Sequence, residues 1–128
     1  TVDLCTVNLY NGEAELYKIG AATGFLKREK EVIEFHVDSL PVGVENNLKI
    51  DHKKMQLKNG DFIVMVTDGV LEYLHVPKPE ETMQEILESI DTNHPGILAK
   101  KAMERVLLFT GGKVPDDMTI LAAGIREK

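Results

Sequence analysis

Residues 57–72, Leu57-Lys58-Asn59-Gly60-Asp61-Phe62-Ile63-Val64-Met65-Val66-Thr67-Asp68-Gly69-Val70-Leu71-Glu72, decide the architecture. The run Phe62 to Val66 has no polar interruption, which marks a strand covered on both faces. Asn59-Gly60 supplies a tight turn before it, and Thr67-Asp68-Gly69-Val70 puts a carboxylate where it stops. A second acidic turn, Pro115-Asp116-Asp117-Met118-Thr119, leads into another apolar run, Ile120-Leu121-Ala122-Ala123. Taken singly, Asp-Gly after a strand and Asp-Asp after proline are most often plain turns. Taken together they predict more. If the two strands are neighbours, the acids converge on one sheet edge. Carboxylates crowded there repel one another, a conflict that a divalent cation removes. Oxygen ligands suit hard cations such as Mg²⁺ or Mn²⁺, so the chemistry suggested is metal-assisted phosphoryl hydrolysis.

Outward from this centre, the first half reads as strands. Val2 to Tyr10 and the apolar positions Ala14, Leu16, Tyr17 and Ile19 flank Asn11-Gly12, a hairpin signal. Phe25 to Arg28 and Glu31 to His36 predict a short hairpin around Glu29-Lys30, and Leu48 to Leu57 another strand. Gly20 to Gly24 lacks the Gly-Lys-Ser/Thr ending of a phosphate loop and reads as a bend between strands. The second half turns helical. Met83, Ile86, Leu87 and Ile90 follow helical spacing after Pro79-Glu80-Glu81. Leu98, Ala102, Val106 and Phe109 form a second stripe between Pro95 and Gly111-Gly112. Met118 to Ile125 returns as a strand. Many strands, two helices and a closing strand predict an α+β fold, with helices packed on a largely antiparallel sheet.

The 128 residues fit one domain or part of one, and 43% hydrophobic residues can form a core. A net charge of −6 disfavours nucleic acid as a partner, and the short basic stretch Lys49 to Lys58 is interrupted by Asp51 and has no stacking aromatics. The single cysteine, Cys5, excludes an internal disulfide and suits a reducing compartment. The sequence has no apolar run long enough to span a membrane, so no membrane contact is expected of this segment. His36, His52, His75 and His94 lack metal-ligand spacing, and Ser39 and Ser89 lack a nucleophile-elbow context. The chain begins at Thr1 inside an apparent strand, which predicts a fragment of a larger domain.

At motif level, residues 57–72 resemble the central motif of bacterial metal-dependent protein phosphatases of the PPM (2C-type) superfamily. Asp116-Asp117-Met118-Thr119-Ile120 resembles their closing motif, Leu40-Pro41-Val42-Gly43 an upstream turn, and Leu16-Tyr17-Lys18-Ile19-Gly20-Ala21-Ala22 a still earlier segment. In detail the chain is most similar to the stage II sporulation protein E family. The resemblance implies a β-sandwich flanked by helices, two bound Mn²⁺ or Mg²⁺ ions, and hydrolysis of phosphoserine or phosphothreonine. By position it makes Asp68 and Asp116 metal ligands with catalytic roles and Glu72 a weaker ligand. Gly69 becomes the turn that lets the backbone approach the ions, and Asp117 a turn or outer residue at the site. The family's earlier Asp-Gly motif, which supplies the bridging aspartate, has no counterpart here. Residues 1–128 are therefore expected to be the C-terminal portion of one phosphatase domain, inactive alone. The implied substrate is a phosphorylated anti-sigma-factor antagonist, on the cytoplasmic side of a parent anchored through an N-terminal region. Alternatives are a stress-response phosphatase of the same superfamily, or a non-catalytic interaction or dimerisation module on the same fold. Cut sheet edges also make a homodimer an expectation.

Overall fold

The computed structural model describes residues 2–19, 23–35, 51–109 and 117–127. Along the chain these form β1 (Val2–Val7), β2 (Glu13–Ile19), β3 (Gly24–Arg28), β4 (Glu31–Phe35), β5 (Asp51–Gln56), β6 (Phe62–Val66), α1 (Asp68–Tyr73), α2 (Pro79–Glu88), α3 (Pro95–Leu108) and β7 (Ile120–Gly124). The strands make a three-stranded sheet, β1-β2-β5, and a four-stranded sheet, β4-β3-β6-β7, with every pairing antiparallel.

The period of two along β6 explains its unbroken apolar composition. Phe62, Val64 and Val66 face the helices, where they join Val70, Met83, Leu87, Leu98 and Val106. Ile63 and Met65 face the other way, into a second cluster with Leu16, Leu26, Leu57 and Ala14. The four-stranded sheet is thus the middle layer between helices and the smaller sheet. Each fully buried valine or leucine stabilises this arrangement by about 1.5–3 kcal/mol relative to exposure. This is the expected α+β sandwich with helices on one face.

The helix starts follow the sequence signals. Pro79 and Pro95 occupy first turns, and Glu80 and Glu81 lie at the N-terminus of α2. His94 caps α3, its Nδ1 accepting from the Gly96 amide at 3.2 Å. Two expectations need revision. The described residues contain a third helix, α1, where the sequence suggested only a turn; Gly69 and a length of six residues hide its periodicity. Asn11-Gly12 does lie in the hairpin that joins β1 and β2, but in a loop longer than two residues: the register closes at Val7 and Ala14, and of the two residues only Gly12 takes positive φ, at 74°. Asn59-Gly60 forms the expected tight turn, closed by the Asp61 amide donating to the Lys58 carbonyl at 3.1 Å with Gly60 at φ 91°, and it carries the chain from one sheet to the other. His36, residues 41–44 and the 48–50 start of the anticipated fifth strand lie outside the described residues, as do residues 20–22 of the anticipated bend.

Candidate active site

Strands β6 and β7 are neighbours, with Val66 opposite Ile120. The C-terminal end of β6 therefore meets the N-terminal end of β7, as the convergence of the acidic turns requires. Beyond the last ladder pair, the Thr67 amide donates to the Thr119 carbonyl at 3.1 Å. In return the Thr119 amide donates to Thr67 Oγ1 at 2.9 Å. The next contact is closer still. A Cβ placed on Gly69 would lie 2.5 Å from the Asp117 carbonyl oxygen, a separation that no side chain tolerates. Gly69 is required by the approach of the two turns, and its φ is not what demands it.

Helix α1 begins at Asp68, so Asp68 and Glu72 lie one turn apart at four-residue spacing. Both are exposed, while Val70, Leu71 and Tyr73 anchor the helix in the core beside α2. Asp117 is exposed at the entry to β7. Asp116, the second expected ligand, lies outside the described residues. The structure brings Asp68, Gly69, Glu72 and the Asp117 turn to one end of the middle sheet. Among the described residues, no group of three His, Cys, Asp or Glu side chains could enclose a metal ion. The donor set nevertheless fits a hard cation: the candidate groups are carboxylates, solvent-accessible, beside a backbone approach that leaves no space for a side chain at Gly69. It fits as part of a site.

Sequence reasoning overlooked three features. The hydroxyl of Thr67 was one; a threonine before Asp-Gly carries no signal of its own. The pair Asp3–Lys18 was another. Lys18 Nζ lies 2.8 Å from Asp3 Oδ2, with the lysine 1% exposed, and the buried Asp3 Oδ1 has no hydrogen-bond partner among the described residues. The Lys18 ammonium lies 3.4 Å from where a Gly24 Cβ would sit, at the end of the sandwich toward which β6 runs. The third is at the opposite end. Arg28 donates from Nε and Nη2 to the two oxygens of Asp61, at 2.9 and 2.8 Å, and the Lys58 amide adds a bond at 2.7 Å. This pairing holds the Arg28 guanidinium above its ordinary range. Nearby, buried Lys27 donates to the Leu87 carbonyl at 2.6 Å, and burial pushes its ammonium below the usual lysine value. Burial, with Asp3 close by, raises the Cys5 thiol above its ordinary value. His52 stacks on Tyr17 at 5.5 Å between ring centres, across the β2–β5 pair of the smaller sheet.

The family model of stage II sporulation protein E matches residues 1–126. The chain belongs to the stage II sporulation protein E family. It is 31% identical to stage II sporulation protein E of Bacillus subtilis (strain 168) over 126 residues, covering 98% of this chain and 15% of the relative. Identity to the Priestia megaterium protein is 32% over 127 residues, covering 98% of this chain and 22% of the relative. This chain thus spans under a quarter of the curated relatives it matches. The phosphatase domain of the Bacillus subtilis protein, in a structure presoaked with manganese, superposes with a TM-score of 0.88 at 28% identity. That alignment covers all of this chain and 57% of the solved one. The 2C-type sandwich expected from the motifs is the fold observed. No helix among the described residues is long and apolar enough to cross a membrane.

Proposed function

We propose that residues 1–128 form the C-terminal portion of a metal-dependent serine/threonine phosphatase domain. The observation that carries this reading is the contact of the two acidic turns, with Gly69 against the Asp117 carbonyl at the shared end of β6 and β7. Membership of the sporulation family and the manganese-soaked phosphatase relative support it.

On this reading Asp68 and Asp116 hold Mn²⁺ or Mg²⁺, and Glu72, one helical turn from Asp68, offers a weaker ligand. Bound divalent ions supply charge neutralisation for the transferring phosphoryl group and activation of the attacking water. The chain's own residues do the positioning. The buried face of α1 fixes where Asp68 and Glu72 project, and Gly69 lets the Asp117 turn close against the helix start. On this reading a further aspartate ligand would come from an Asp-Gly motif outside residues 1–128, and residues 1–128 alone would not turn over substrate.

The substrate is a phosphorylated anti-sigma-factor antagonist, met on the cytoplasmic side of a parent protein anchored through its N-terminal region. Cut sheet edges give residues 1–128 by themselves a route to a homodimer. Extending the chain through the missing motif and assaying a phosphoserine protein with and without Mn²⁺ tests the reading. Manganese-dependent release of phosphate by the extended chain supports it. Inactivity of the extended chain, with no metal binding, favours a non-catalytic module on the same fold. Turnover of a stress-response antagonist in preference to a sporulation one would move the substrate to the related phosphatases.

A further inference from the structure

We infer that the Thr67 hydroxyl is a positioning group for the metal site, standing in for a backbone carbonyl so that the chain can leave the sheet at Asp68 without releasing β7. Continuing the β6–β7 ladder by one pair sets Thr67 opposite Thr119. Half of the normal exchange is present, since the Thr67 amide donates to the Thr119 carbonyl at 3.1 Å. The other half would need the Thr67 carbonyl to accept from Thr119. That carbonyl is engaged elsewhere: it accepts from the Val70 amide at 3.0 Å, the first turn of α1. Thr67 Oγ1 takes its place and accepts from the Thr119 amide at 2.9 Å.

The same residue thus stands where strand ends and helix begins. Threonine before a helix start ordinarily turns its oxygen onto the helix amides. Here Thr67 has the extended backbone of a cap, at φ −78° and ψ 156°, but makes no side-chain cap bond. Its oxygen is committed across the strand pair. The consequence is geometric. Asp68 follows Thr67 directly, and Asp117 lies two residues before Thr119, so the hydroxyl ties the two acidic turns at their roots. The Gly69–Asp117 approach lies immediately beyond this tie. Thr67 is exposed, so water can satisfy the Thr119 amide if the hydroxyl is lost. Loss should therefore disturb placement of the turns more than overall stability.

This inference rests on the phosphatase reading. Its test uses the intact phosphatase, with Mn²⁺ binding followed from the electron paramagnetic resonance signal of free Mn²⁺ and activity measured over a Mn²⁺ series. Thr67→Val keeps the shape and removes the acceptor; Thr67→Ser keeps the acceptor. Outer groups that orient metal ligands typically change affinity by about 10–100-fold. Thr67→Val should weaken Mn²⁺ binding about tenfold or more, with most of kcat regained at saturating Mn²⁺. Thr67→Ser should bind as wild type. If Thr67→Val does not fold, Thr67→Ala carries the same expectation, checked by its melting curve in chelator. Unchanged Mn²⁺ binding in a folded Val or Ala variant overturns the inference and leaves the phosphatase reading standing. A wild-type protein that binds no Mn²⁺ overturns both.

Discussion

Strand β6 has an aspartate at each end, and the two live in opposite circumstances. Asp61, before the strand, is 1% exposed and accepts three hydrogen bonds, two from Arg28 and one from the Lys58 amide. Asp68, after the strand, is exposed, and no hydrogen bond or ion pair joins its carboxylate to another described residue. One acid is used up by the fold. The other is held in place by its neighbours while its oxygens stay available. A buried carboxylate needs partners to offset lost solvation. On the proposed phosphatase reading, the Asp68 carboxylate is positioned for a cation through its backbone, by α1 and the Gly69 approach. Both aspartates sit beside a glycine in sequence, Gly60-Asp61 and Asp68-Gly69, so composition alone does not separate them.

On the phosphatase reading, the largest effect should come from Asp68→Asn in the intact protein. Hydrolysis should fall about a thousandfold or more, with the melting temperature unchanged in chelator; full turnover would contradict the assigned role. Gly69→Ala comes next. Its methyl would meet the Asp117 oxygen at 2.5 Å, so one turn must move. Misplacement on the scale of an ångström costs about a hundredfold in rate, and a variant with wild-type kinetics would show that the approach is irrelevant. Asp61→Asn should behave inversely. Leaving Arg28 without its charged partner should cost about 2 kcal/mol in denaturant unfolding, with activity per folded molecule retained.

The smallest expected effect concerns Lys27. Burial lowers its ammonium below the ordinary 10.5, with Asp91 and Glu88 partly opposing. The unfolded chain therefore keeps this proton to higher pH than the folded chain. In the window below 10.5 the unfolded state binds more protons, so this group makes stability rise with pH there. Urea unfolding followed upward from neutral pH should show that rise, and Lys27→Met should flatten it. Identical slopes in the two proteins would exclude Lys27 as the source.

Much of this was legible in the residues. The unbroken run Phe62 to Val66 gave the middle layer, because only a strand between two apolar layers is apolar at every position. Helical spacing gave α2 and α3, and proline marked their starts. Sheet membership was harder. Asn59-Gly60 links strands of different sheets, and a turn motif says nothing about which sheet follows. Short α1 escaped because six residues hold less than two helical periods. At the site, Asp68, Gly69, Glu72 and Asp117 were named from their motifs, and Asp116 with them. Thr67 was not, because its importance lies in replacing its own carbonyl across a strand pair, which only the register reveals. The Asp3–Lys18 pair escaped for the same reason, since its members are fifteen residues apart and opposite each other on β1 and β2.

The contrast between the two aspartates is tested most directly by calorimetric titration of Mn²⁺ into the intact phosphatase as wild type, Asp68→Asn and Asp61→Asn. The account predicts saturable binding by wild type and Asp61→Asn, and its loss in Asp68→Asn. Undiminished binding by Asp68→Asn, or loss confined to Asp61→Asn, would contradict it.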